Sequence, residues 1–392
     1  MKVLRAYKTE LNVNNEKRTL LLQHAGTARL AYNWGLAEKQ KAYEAGLKTP
    51  NAIELHRKLN ELKKSDFSWM KTENISKCAP QEALRNLDKA FANFFRKCKS
   101  KKKGPKGFPR FKSKHRGIGS FRLTGTIHVF EGRIQLPNLG ILKLKERNYI
   151  PTSGIKILSA TVSEHAGRWF VSIQCEQERP EPSNAAVEVV GVDLGIKTLA
   201  TCSDGHVFEN PKALRNNLRE LKHLQRHVSR KVKGSKNRKK AARRLANLHY
   251  RITNIRKDTT HKMTSVLTKT KSTIVIEDLN VSGMLKNHCL AQAIADLGLG
   301  EWRRQLEYKG KWNGCKIIIA DRFFPSSKLC SACGCLNESL TLANREWTCS
   351  CGVHHDRDFN ASTNLCNYGK LAGSSPDSIN SSMDGQALAS SR

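Results

Sequence analysis

Val187-Glu-Val-Val-Gly-Val-Asp193 is a nearly continuous apolar run that ends in an acidic residue. A run of this kind is typical of a strand that is buried on both faces of a sheet. Two further runs, Ser272-Thr-Ile-Val-Ile-Glu277 and Lys316-Ile-Ile-Ile-Ala320, have the same character. Between the first two runs, apolar residues recur at helical spacing from Leu214 to Leu221 and from Leu245 to Ile255. The sequence therefore predicts an α/β unit in this half of the chain.

Three acidic residues stand where these predicted strands end or where a later helix begins. Asp193 and Glu277 end two of the strands, and Asp358 opens a helical stretch near the C-terminus. Because the carboxyl ends of neighbouring strands in an α/β sheet meet at one edge, we expect the three acids to form a cluster there. Hard cations such as Mg²⁺ prefer carboxylate oxygens, and a pair of them about 4 Å apart suits phosphodiester cleavage. Spacing alone leaves a simpler interpretation open, in which Asp358 caps its helix and Glu277 is an ordinary strand-end acid.

Five of the twelve cysteines fall in one short segment that has the spacing of a zinc ribbon. Cys330-Ser-Ala-Cys333 and Cys349-Ser-Cys351 are both closely followed by a glycine, which allows the tight turn under a bound thiolate. Four thiolates at this spacing bind Zn²⁺ tetrahedrally, and such a closed site is structural because it leaves no position for a substrate. The second pair is one residue shorter than usual, so Cys335, His354 or His355 could replace a ligand.

The N-terminal half of the chain has a different pattern. Residues 1–10 predict a short strand, and residues 16–95 have apolar residues at helical spacing. Residues 121–177 alternate in short runs, with Glu131-Gly132 and Ala166-Gly167 as the expected turns of two hairpins. These runs predict a small antiparallel barrel.

The composition points to nucleic acid as the partner. The chain carries 69 Lys and Arg against 34 Asp and Glu, a net charge of +35. Self-repulsion of this size opposes folding unless a polyanion neutralises it, as phosphate backbones do when they release counterions. The basic loop 97–116 and the basic cluster 230–244 are candidates for phosphate binding, although a solvated charge run is the alternative for any one residue. The candidate residues are Arg110, Lys112, Lys231, Lys236, Arg238, Lys239 and Lys240.

Two further features could contact bases. Lys77 and Gln81 stand four residues apart in a helical stretch, so their side chains project from the same face. Such a pair could read base edges in a groove, and plain solvent exposure is the alternative. In the basic loop, Phe108 and Phe111 could stack on bases or pack on the predicted barrel.

Composition also bounds the location of the protein. No run of about 18 apolar residues is present, so we expect no membrane-spanning segment. The first residues lack the apolar core of a signal peptide, and the other seven cysteines are scattered singly, so we expect a cytoplasmic protein with reduced thiols. Residues 370–392 are rich in Ser and Gly, which predicts a disordered tail.

Three segments resemble the motifs of the RuvC-type nuclease domain in the TnpB family, which is encoded by transposons and related to the type V CRISPR effectors. They are Gly191-Val-Asp-Leu-Gly-Ile-Lys-Thr-Leu-Ala-Thr201, Ile274-Val-Ile-Glu-Asp-Leu-Asn280 and Asp356-Arg-Asp-Phe-Asn-Ala361. The segments Ala31-Tyr-Asn-Trp34, Ala90-Phe-Ala-Asn-Phe-Phe95 and Gly107-Phe-Pro-Arg-Phe-Lys112 also resemble that family. The resemblance covers residues 1 to 368 in order.

The resemblance implies roles and an architecture. The catalytic carboxylates of the family fall on Asp193, Glu277 and Asp358, which leaves Asp278 and Asp356 as structural groups. The implied fold is an α/β multidomain protein, with an RNase H-like (RuvC) nuclease domain that carries an inserted zinc ribbon and an N-terminal wedge β-barrel that carries an inserted helical bundle. The implied boundaries are 1–10 and 106–180 for the wedge, 11–105 for the helical recognition domain, 187–325 and 355–369 for the nuclease, 326–354 for the ribbon and 370–392 for the tail.

By the same resemblance, the protein would be an RNA-guided DNA endonuclease of a mobile element. A guide RNA transcribed from the element would pair with double-stranded target DNA, and one copy of the chain would cut the DNA with Mg²⁺. Lys77 and Gln81 resemble the region that reads a short motif beside the target. Three alternatives stay open: a nuclease-inactive RNA-guided repressor, a transposase or transposase accessory protein, and a CRISPR-associated effector.

Overall fold

The computed structural model describes residues 1–71, 74–100, 104–182, 188–341 and 343–374. The chain divides into two compact units, unit 1 at Met1–Pro180 and unit 2 at Glu181–Arg392. None of the described helices is both long and apolar enough to cross a membrane.

Unit 1 begins with a strand and three helices. These elements are β1 (Lys2–Asn12), α1 (Asn15–Glu44), α2 (Ala52–Leu62) and α3 (Cys78–Lys99). α1 begins where the Asn14 side chain accepts a hydrogen bond from the Lys17 amide, and a capping box between Asn51 and Glu54 begins α2. The predicted strand and the helical character of residues 16–95 are confirmed. The helical stretch is divided, because Gly46 takes a left-handed conformation two residues after the end of α1.

The rest of unit 1 is a seven-stranded antiparallel sheet that includes β1. The other strands are β2 (Ser120–Leu123), β3 (His128–Phe130), β4 (Arg133–Leu136), β5 (Gly140–Leu144), β6 (Ile155–His165) and β7 (Arg168–Glu178). The strand order is β2-β6-β7-β1-β5-β4-β3, and both predicted hairpins, β3–β4 and β6–β7, are confirmed. Within the described part of unit 1, β2 and β3 end the sheet without pairing to each other, so closure into a barrel stays a prediction.

One apolar core joins this sheet to the helices of unit 1. Leu21 and Leu36 of α1, Leu84 of α3 and Trp169 of β7 are all buried in it. The apolar faces that the sequence predicts for the helices are therefore buried in the same core as the sheet.

Unit 2 is built on a five-stranded mixed sheet. In chain order, its elements are β8 (Val189–Asp193), β9 (Thr198–Cys202), β10 (Val207–Glu209), α4 (Ala213–Ser229), α5 (Lys236–Thr270), β11 (Thr273–Glu277), α6 (Val281–Met284), α7 (Ala291–Leu297), α8 (Leu299–Asn313), β12 (Lys316–Ala320), β13 (Glu346–Thr348), β14 (His354–Asp356) and α9 (Arg357–Ser374). The strand order is β10-β9-β8-β11-β12. β11 pairs in parallel with both β8 and β12, whereas β9 pairs antiparallel with β8, and β10 pairs antiparallel with β9. β13 and β14 form a separate antiparallel pair. The predicted α/β unit with three apolar strands is confirmed.

Two glycines allow α9 to lie directly against β8 and β11. A Cβ on Gly191 would lie 2.0 Å from the Ser362 carbonyl oxygen and 2.4 Å from the Cys366 amide nitrogen of α9. A Cβ on Gly369 would lie 2.3 Å from a methyl group of Val275 in β11. Since Cβ atoms essentially never come within 3.0 Å of such neighbours, this packing requires glycine at both positions.

Three predicted boundaries differ from the structure. β8 begins at Val189 rather than at residue 187, and residues 183–187 lie outside the described residues. α3 continues to Lys99, and so includes the first three residues of the predicted basic loop. α9 continues to Ser374, whereas the disordered tail was predicted from residue 370, because Lys370-Leu-Ala372 are good helix formers that extend the preceding turns. The remainder of that tail, residues 375–392, lies outside the described residues.

Candidate functional site

Asp193 and Glu277 end the neighbouring parallel strands β8 and β11 at the same level of the sheet. Val192 pairs with Ile276, so the next residue on each strand is one of the two acids. Neighbouring strands lie about 4.8 Å apart, so the backbones that carry the two carboxylates are direct neighbours.

Both acids point toward the face of the sheet that α9 covers. Because side chains alternate along a strand, Asp193 shares the face of Gly191, and Glu277 shares the face of Val275. Those two residues contact α9. Residues 362–366 of α9 lie over Gly191. The first turn of the helix holds Asp358 and lies nearer the carboxyl ends of the strands, since Asp358 Oδ2 is 4.0 Å from the position that a Cβ on Gly195 would occupy.

The negative charges of Glu277 and Asp358 add to the effect of burial on Asp193. The pKa of Asp193 is raised to about 8, mainly by burial and then by the negative charges of Glu277 and Asp358, while Arg357 acts in the opposite direction. Without a cation, Asp193 therefore holds a proton at neutral pH. The site gathers carboxylate oxygens, which are the donors that hard cations such as Mg²⁺ prefer.

Two neighbours of these acids were absent from the sequence prediction. The Ser326 hydroxyl donates a hydrogen bond to the Glu277 carboxylate, although the two residues are 49 positions apart. The Arg345 guanidinium lies 3.5 Å from Oδ1 of Asp358. No local pattern around Ser326 or Arg345 signals these contacts, which arise from the path of the chain between β12 and α9.

The other two acids of the motifs have structural contacts. Asp278 accepts hydrogen bonds from Arg303, at 2.9 Å, and from Arg322, and these guanidinium groups lower its pKa. Asp356 Oδ1 accepts a hydrogen bond from the Phe359 amide at 2.8 Å, as a capping residue of α9 does. Both contacts support the structural roles that the resemblance implies.

The carboxylates stand wider apart than the cysteines do. Within the described ranges, the four cysteines 330, 333, 349 and 351 are the one group of His, Cys, Asp or Glu side chains whose ligand atoms all lie within 4.8 Å of one another. Nearby negative charges repel each other, and Glu277 and Asp358 are each held by another neighbour, Ser326 and Arg345. A wider arrangement is therefore expected without a cation.

The four predicted cysteines come together with the geometry of a zinc site. Cys330 Sγ is 3.8 Å from Cys351 Sγ, and Cys333 Sγ is 3.6 Å from Cys349 Sγ. A tetrahedral ion with metal–sulfur bonds of about 2.3 Å has sulfur atoms about 3.8 Å apart, so these thiols fit Zn²⁺. The four-cysteine set fits better than the substitutes that the short second pair left open.

Those substitutes lie outside the cluster. Cys335 and His354 do not belong to the group of close ligand atoms in the described structure, and the His354 ring instead lies 3.1 Å from the Thr348 hydroxyl. His355 Nε2 lies 3.1 Å from Cys330 Sγ, at hydrogen-bonding distance to a thiolate. His355 is therefore suited to stabilise the charge on a ligand rather than to replace one.

Both phosphate-binding candidates of the basic loop, Arg110 and Lys112, are exposed, and Lys112 in addition contacts neighbouring residues. The Lys112 ammonium lies 3.9 Å from the centre of the Tyr32 ring, and burial lowers its pKa. The backbone of Lys112 is held by both polar atoms of the Asn33 side chain, at 2.8 and 2.9 Å. Arg110 is thus the freer of the two for phosphate.

The two aromatic residues of this loop are both exposed, but their contacts differ. Phe108 packs edge-on against Phe91 and Phe94 of α3, so it packs on a helix rather than on the sheet. Phe111 is exposed and lines a cavity of about 640 Å³ together with Arg29 and Lys112. Base stacking stays possible for Phe111.

The predicted residues of the second basic cluster also divide into two groups. Lys236, Lys239 and Lys240 are exposed on the first turns of α5, and Lys231 is half-buried. The Arg238 guanidinium donates to the carbonyl groups of Val228 and Lys231, at 3.1 and 2.9 Å, and so ties the end of α4 to the start of α5. These bonds satisfy carbonyl groups that the end of α4 leaves without helical partners.

Lys77 and Gln81 lie at the start of α3. Lys77 directly precedes the helix and is exposed, and Gln81 is half-buried one turn later. Lys77 lines a cavity of about 620 Å³ whose polar lining includes Thr126 and Gln135 of the sheet. This surface has room and donors for a polar partner.

Three family models match the chain. Residues 172–288 match OrfB_IS605, described as "Probable transposase", and residues 300–365 match the Cas12f1-like TNB domain. Residues 1–48 match a model described as a helix-turn-helix domain, although the structure there has β1 and the single long helix α1.

Similar proteins cover almost the whole chain. A Streptomyces pristinaespiralis protein with the provisional name RNA-guided DNA endonuclease is 40% identical over 380 residues, which span 96% of this chain and 92% of the relative. The Escherichia coli K12 protein InsQ, with the same provisional name, is 34% identical over 93% of this chain and 92% of its own. The cryo-EM structure of a Cas12f1–sgRNA–target DNA complex matches with a TM-score of 0.57 at 13% identity, over 93% of this chain and 99% of that one, which shows a shared fold. The chain belongs to the TnpB (OrfB_IS605) family.

Proposed function

We propose that the protein is an RNA-guided DNA endonuclease whose catalytic residues are Asp193, Glu277 and Asp358. The observation that carries this proposal is the arrangement of the three acids at one edge of the sheet of unit 2, on the face that α9 covers. The provisional names of the two bacterial relatives, which align over more than nine-tenths of their length, support the same activity.

In this proposal, the three carboxylates hold Mg²⁺. When bound, two such ions supply the positive charge that activates water and stabilises the leaving oxygen in phosphodiester hydrolysis. Asp193 would be deprotonated in the cation-bound site, because a cation would offset the repulsion from Glu277 and Asp358 that, together with burial, raises its pKa to about 8. Ser326 orients Glu277 through its hydrogen bond.

In the proposed reaction, Arg345 would bind the DNA backbone in addition to forming its ion pair with Asp358. In the cation-free site its guanidinium faces Asp358 at 3.5 Å, and more than half of its side chain is exposed. Once cations neutralise the acids, this exposed guanidinium is suited to bind a phosphate oxygen of the DNA backbone, since Arg recognises phosphate through charge-assisted hydrogen bonds.

The finer architecture is part of the proposal. Unit 2 would be an RNase H-like (RuvC) nuclease domain, with a zinc ribbon at residues 326–354 in which the four cysteines hold one structural Zn²⁺. Unit 1 would be the wedge β-barrel with an inserted helical recognition domain. The mixed sheet order of unit 2 and the 3.6 and 3.8 Å sulfur–sulfur distances support these assignments.

The partners in this proposal are a guide RNA and double-stranded target DNA. A chain with a net charge of +35 needs polyanions nearby, and Arg110, Lys236, Lys239 and Lys240 are exposed for phosphate contacts. Lys77 and Gln81 would read a short motif beside the target from the start of α3. One copy of the chain would act with one RNA in the cytoplasm.

The test is to express the protein with its flanking genomic DNA, purify it and sequence the RNA that copurifies. The complex is then mixed with plasmids that carry a matching or a scrambled target, in Mg²⁺ and in EDTA. We expect a discrete RNA and Mg²⁺-dependent cutting of the matched plasmid alone, with Asp193→Ala binding RNA but not cutting. Tight binding without cutting by the unaltered protein would instead indicate a repressor, joined strands would indicate a transposase, and the absence of a specific RNA would overturn guidance.

A further inference from the structure

Phe323 is left in solvent to an unusual degree. Its side chain is 88% exposed, more than any other large apolar residue in the described part of the chain. An apolar ring in water contributes nothing to folding through burial. A surface Phe alone needs no explanation, so its surroundings decide whether this exposure has a use.

The loop that carries Phe323 is fixed on both sides of it. The Phe323 amide donates to Asp321 Oδ1 at 2.8 Å, and Arg322 forms an ion pair with Asp278. On the other side, the Phe324 ring packs against Tyr368 of α9, with ring centres 4.9 Å apart. Held in this way, the backbone presents the Phe323 ring to solvent rather than letting it fold back.

This loop begins at the edge of the sheet where Asp193 and Glu277 end their strands. Ala320, the last residue of β12, pairs with Glu277, so the loop begins at the level of the carboxylates. Three residues of chain reach at most about 10 Å, which keeps Phe323 near that edge. Ser326, three residues further, donates to the Glu277 carboxylate.

A second exposed ring lies at the same edge. Phe359, 44% exposed, directly follows Asp358 at the start of α9. Among the described aromatic residues of unit 2, Phe323 and Phe359 are the two that are exposed. The exposed rings of this unit are therefore found beside the acids and not scattered over its surface.

We propose that Phe323 is a positioning residue that stacks on an unpaired base next to the phosphate that the acids cut. The inference rests on the proposed nuclease function. Stacking suits this task because every base has an aromatic face, so a ring can hold any sequence, as a protein whose target is chosen by RNA pairing requires. The base fixes the strand, and its neighbouring phosphate then lies against the carboxylates.

The test uses the RNA-bound protein and synthetic DNA duplexes that match the copurified RNA and carry randomised flanks. Phe323→Ala is compared with Phe323→Trp, which keeps a stacking face, and with Tyr43→Ala, which removes a 78% exposed ring from unit 1. A second set of duplexes lacks one base at each position around the cut. Thermal unfolding is measured for each variant.

We expect Phe323→Ala to lower kcat/KM about 5- to 150-fold, the range of one lost base–aromatic stack, with unchanged thermal unfolding. Phe323→Trp and Tyr43→Ala should cut like the unaltered protein. Removing the stacked base should cost the unaltered protein a similar factor and cost Phe323→Ala nothing more, because both changes delete the same contact. Full activity of Phe323→Ala, or losses that multiply at every position, would overturn the inference, whereas an unaltered protein that cuts nothing would overturn the proposed function instead.

Discussion

Gly191→Ala is expected to separate α9 from the sheet and thereby damage the site without touching an acid. The new Cβ would lie 2.0 Å from the Ser362 carbonyl oxygen, at least 1 Å closer than the 3.0 Å that real Cβ atoms keep. The Cys366 amide nitrogen, at 2.4 Å, blocks the other direction. Both are backbone atoms, so no side chain can turn away and the helix must move by about 1 Å.

Overpacking of this kind costs about 1–3 kcal/mol of unfolding free energy, which corresponds to about 2–12 °C in the melting temperature of a unit of this size. A displacement of about 1 Å at a reacting centre can also cost about 100-fold in rate, and here it would shift Asp358 relative to Asp193. The matched control is Gly300→Ala in α8, where a Cβ would meet nothing within 4 Å and the backbone is helical. That change should be neutral or stabilise by up to about 1 kcal/mol.

The assays are thermal unfolding and cutting of matched plasmid by the RNA-bound variants. If Gly191→Ala melted and cut like the unaltered protein while Gly300→Ala behaved as expected, the close contact between β8 and α9 would not exist in solution. The position assigned to Asp358 would then lose its support.

Four more outcomes follow from the structure. Asp193→Asn should abolish cutting. It should also reduce the loss of stability that occurs as the pH rises from about 4 to 8, because the raised pKa of Asp193 lets the unaltered folded protein bind more protons than the unfolded chain in that window. Thermal unfolding at several pH values without added cations measures this effect. Cys330→Ser should lower bound zinc, measured by atomic emission, from one ion per chain, and it should increase proteolysis of the ribbon. Arg345→Ala should weaken DNA cutting by tenfold or more while bound RNA, measured by filter binding, stays unchanged. Burial lowers the pKa of His24, whose Nε2 accepts a hydrogen bond from the Ser76 amide. Below about pH 6.5 the unfolded chain therefore binds a proton that the folded protein does not, and the free energy of unfolding should fall by up to about 1.4 kcal/mol per pH unit. Thermal unfolding of His24→Gln at several pH values should lack this dependence.

The strands β8 and β11 and the group of four cysteines could be predicted because nearby residues in the sequence determine them. A short apolar run that ends in Asp or Glu is typical of a buried strand with its acid at the sheet edge, and β8 and β11 confirm this prediction. The four cysteines came together because their two tight turns leave few other arrangements; Gly334 and Gly352 both adopt the positive φ that such turns need.

Other features could not be predicted because they depend on contacts between distant segments. Nothing near Arg238 indicates that its guanidinium closes the end of α4, and by sequence it is one more cation in a basic cluster. Lys112 likewise has the sequence of a phosphate-binding residue, yet its ammonium faces the Tyr32 ring. A charge run predicts an affinity for polyanions, but only the fold determines which of its members remain free.

The proposed zinc ribbon is joined to the acidic site by hydrogen bonds, so the proposed structural metal has a consequence for the proposed chemistry. Asn360, two residues after Asp358 and almost fully buried, accepts from the Ser331 amide at 3.0 Å and donates to the Leu329 carbonyl at 2.7 Å. Ser331 lies between the first two cysteines, so the first turn of α9 is attached to the backbone of the metal-binding turn. A buried amide that loses such partners costs about 1–3 kcal/mol, so unfolding of the ribbon is opposed by the same bonds that position Asp358. The ribbon therefore does more than stabilise itself: it fixes the end of the helix that brings the third carboxylate to the sheet.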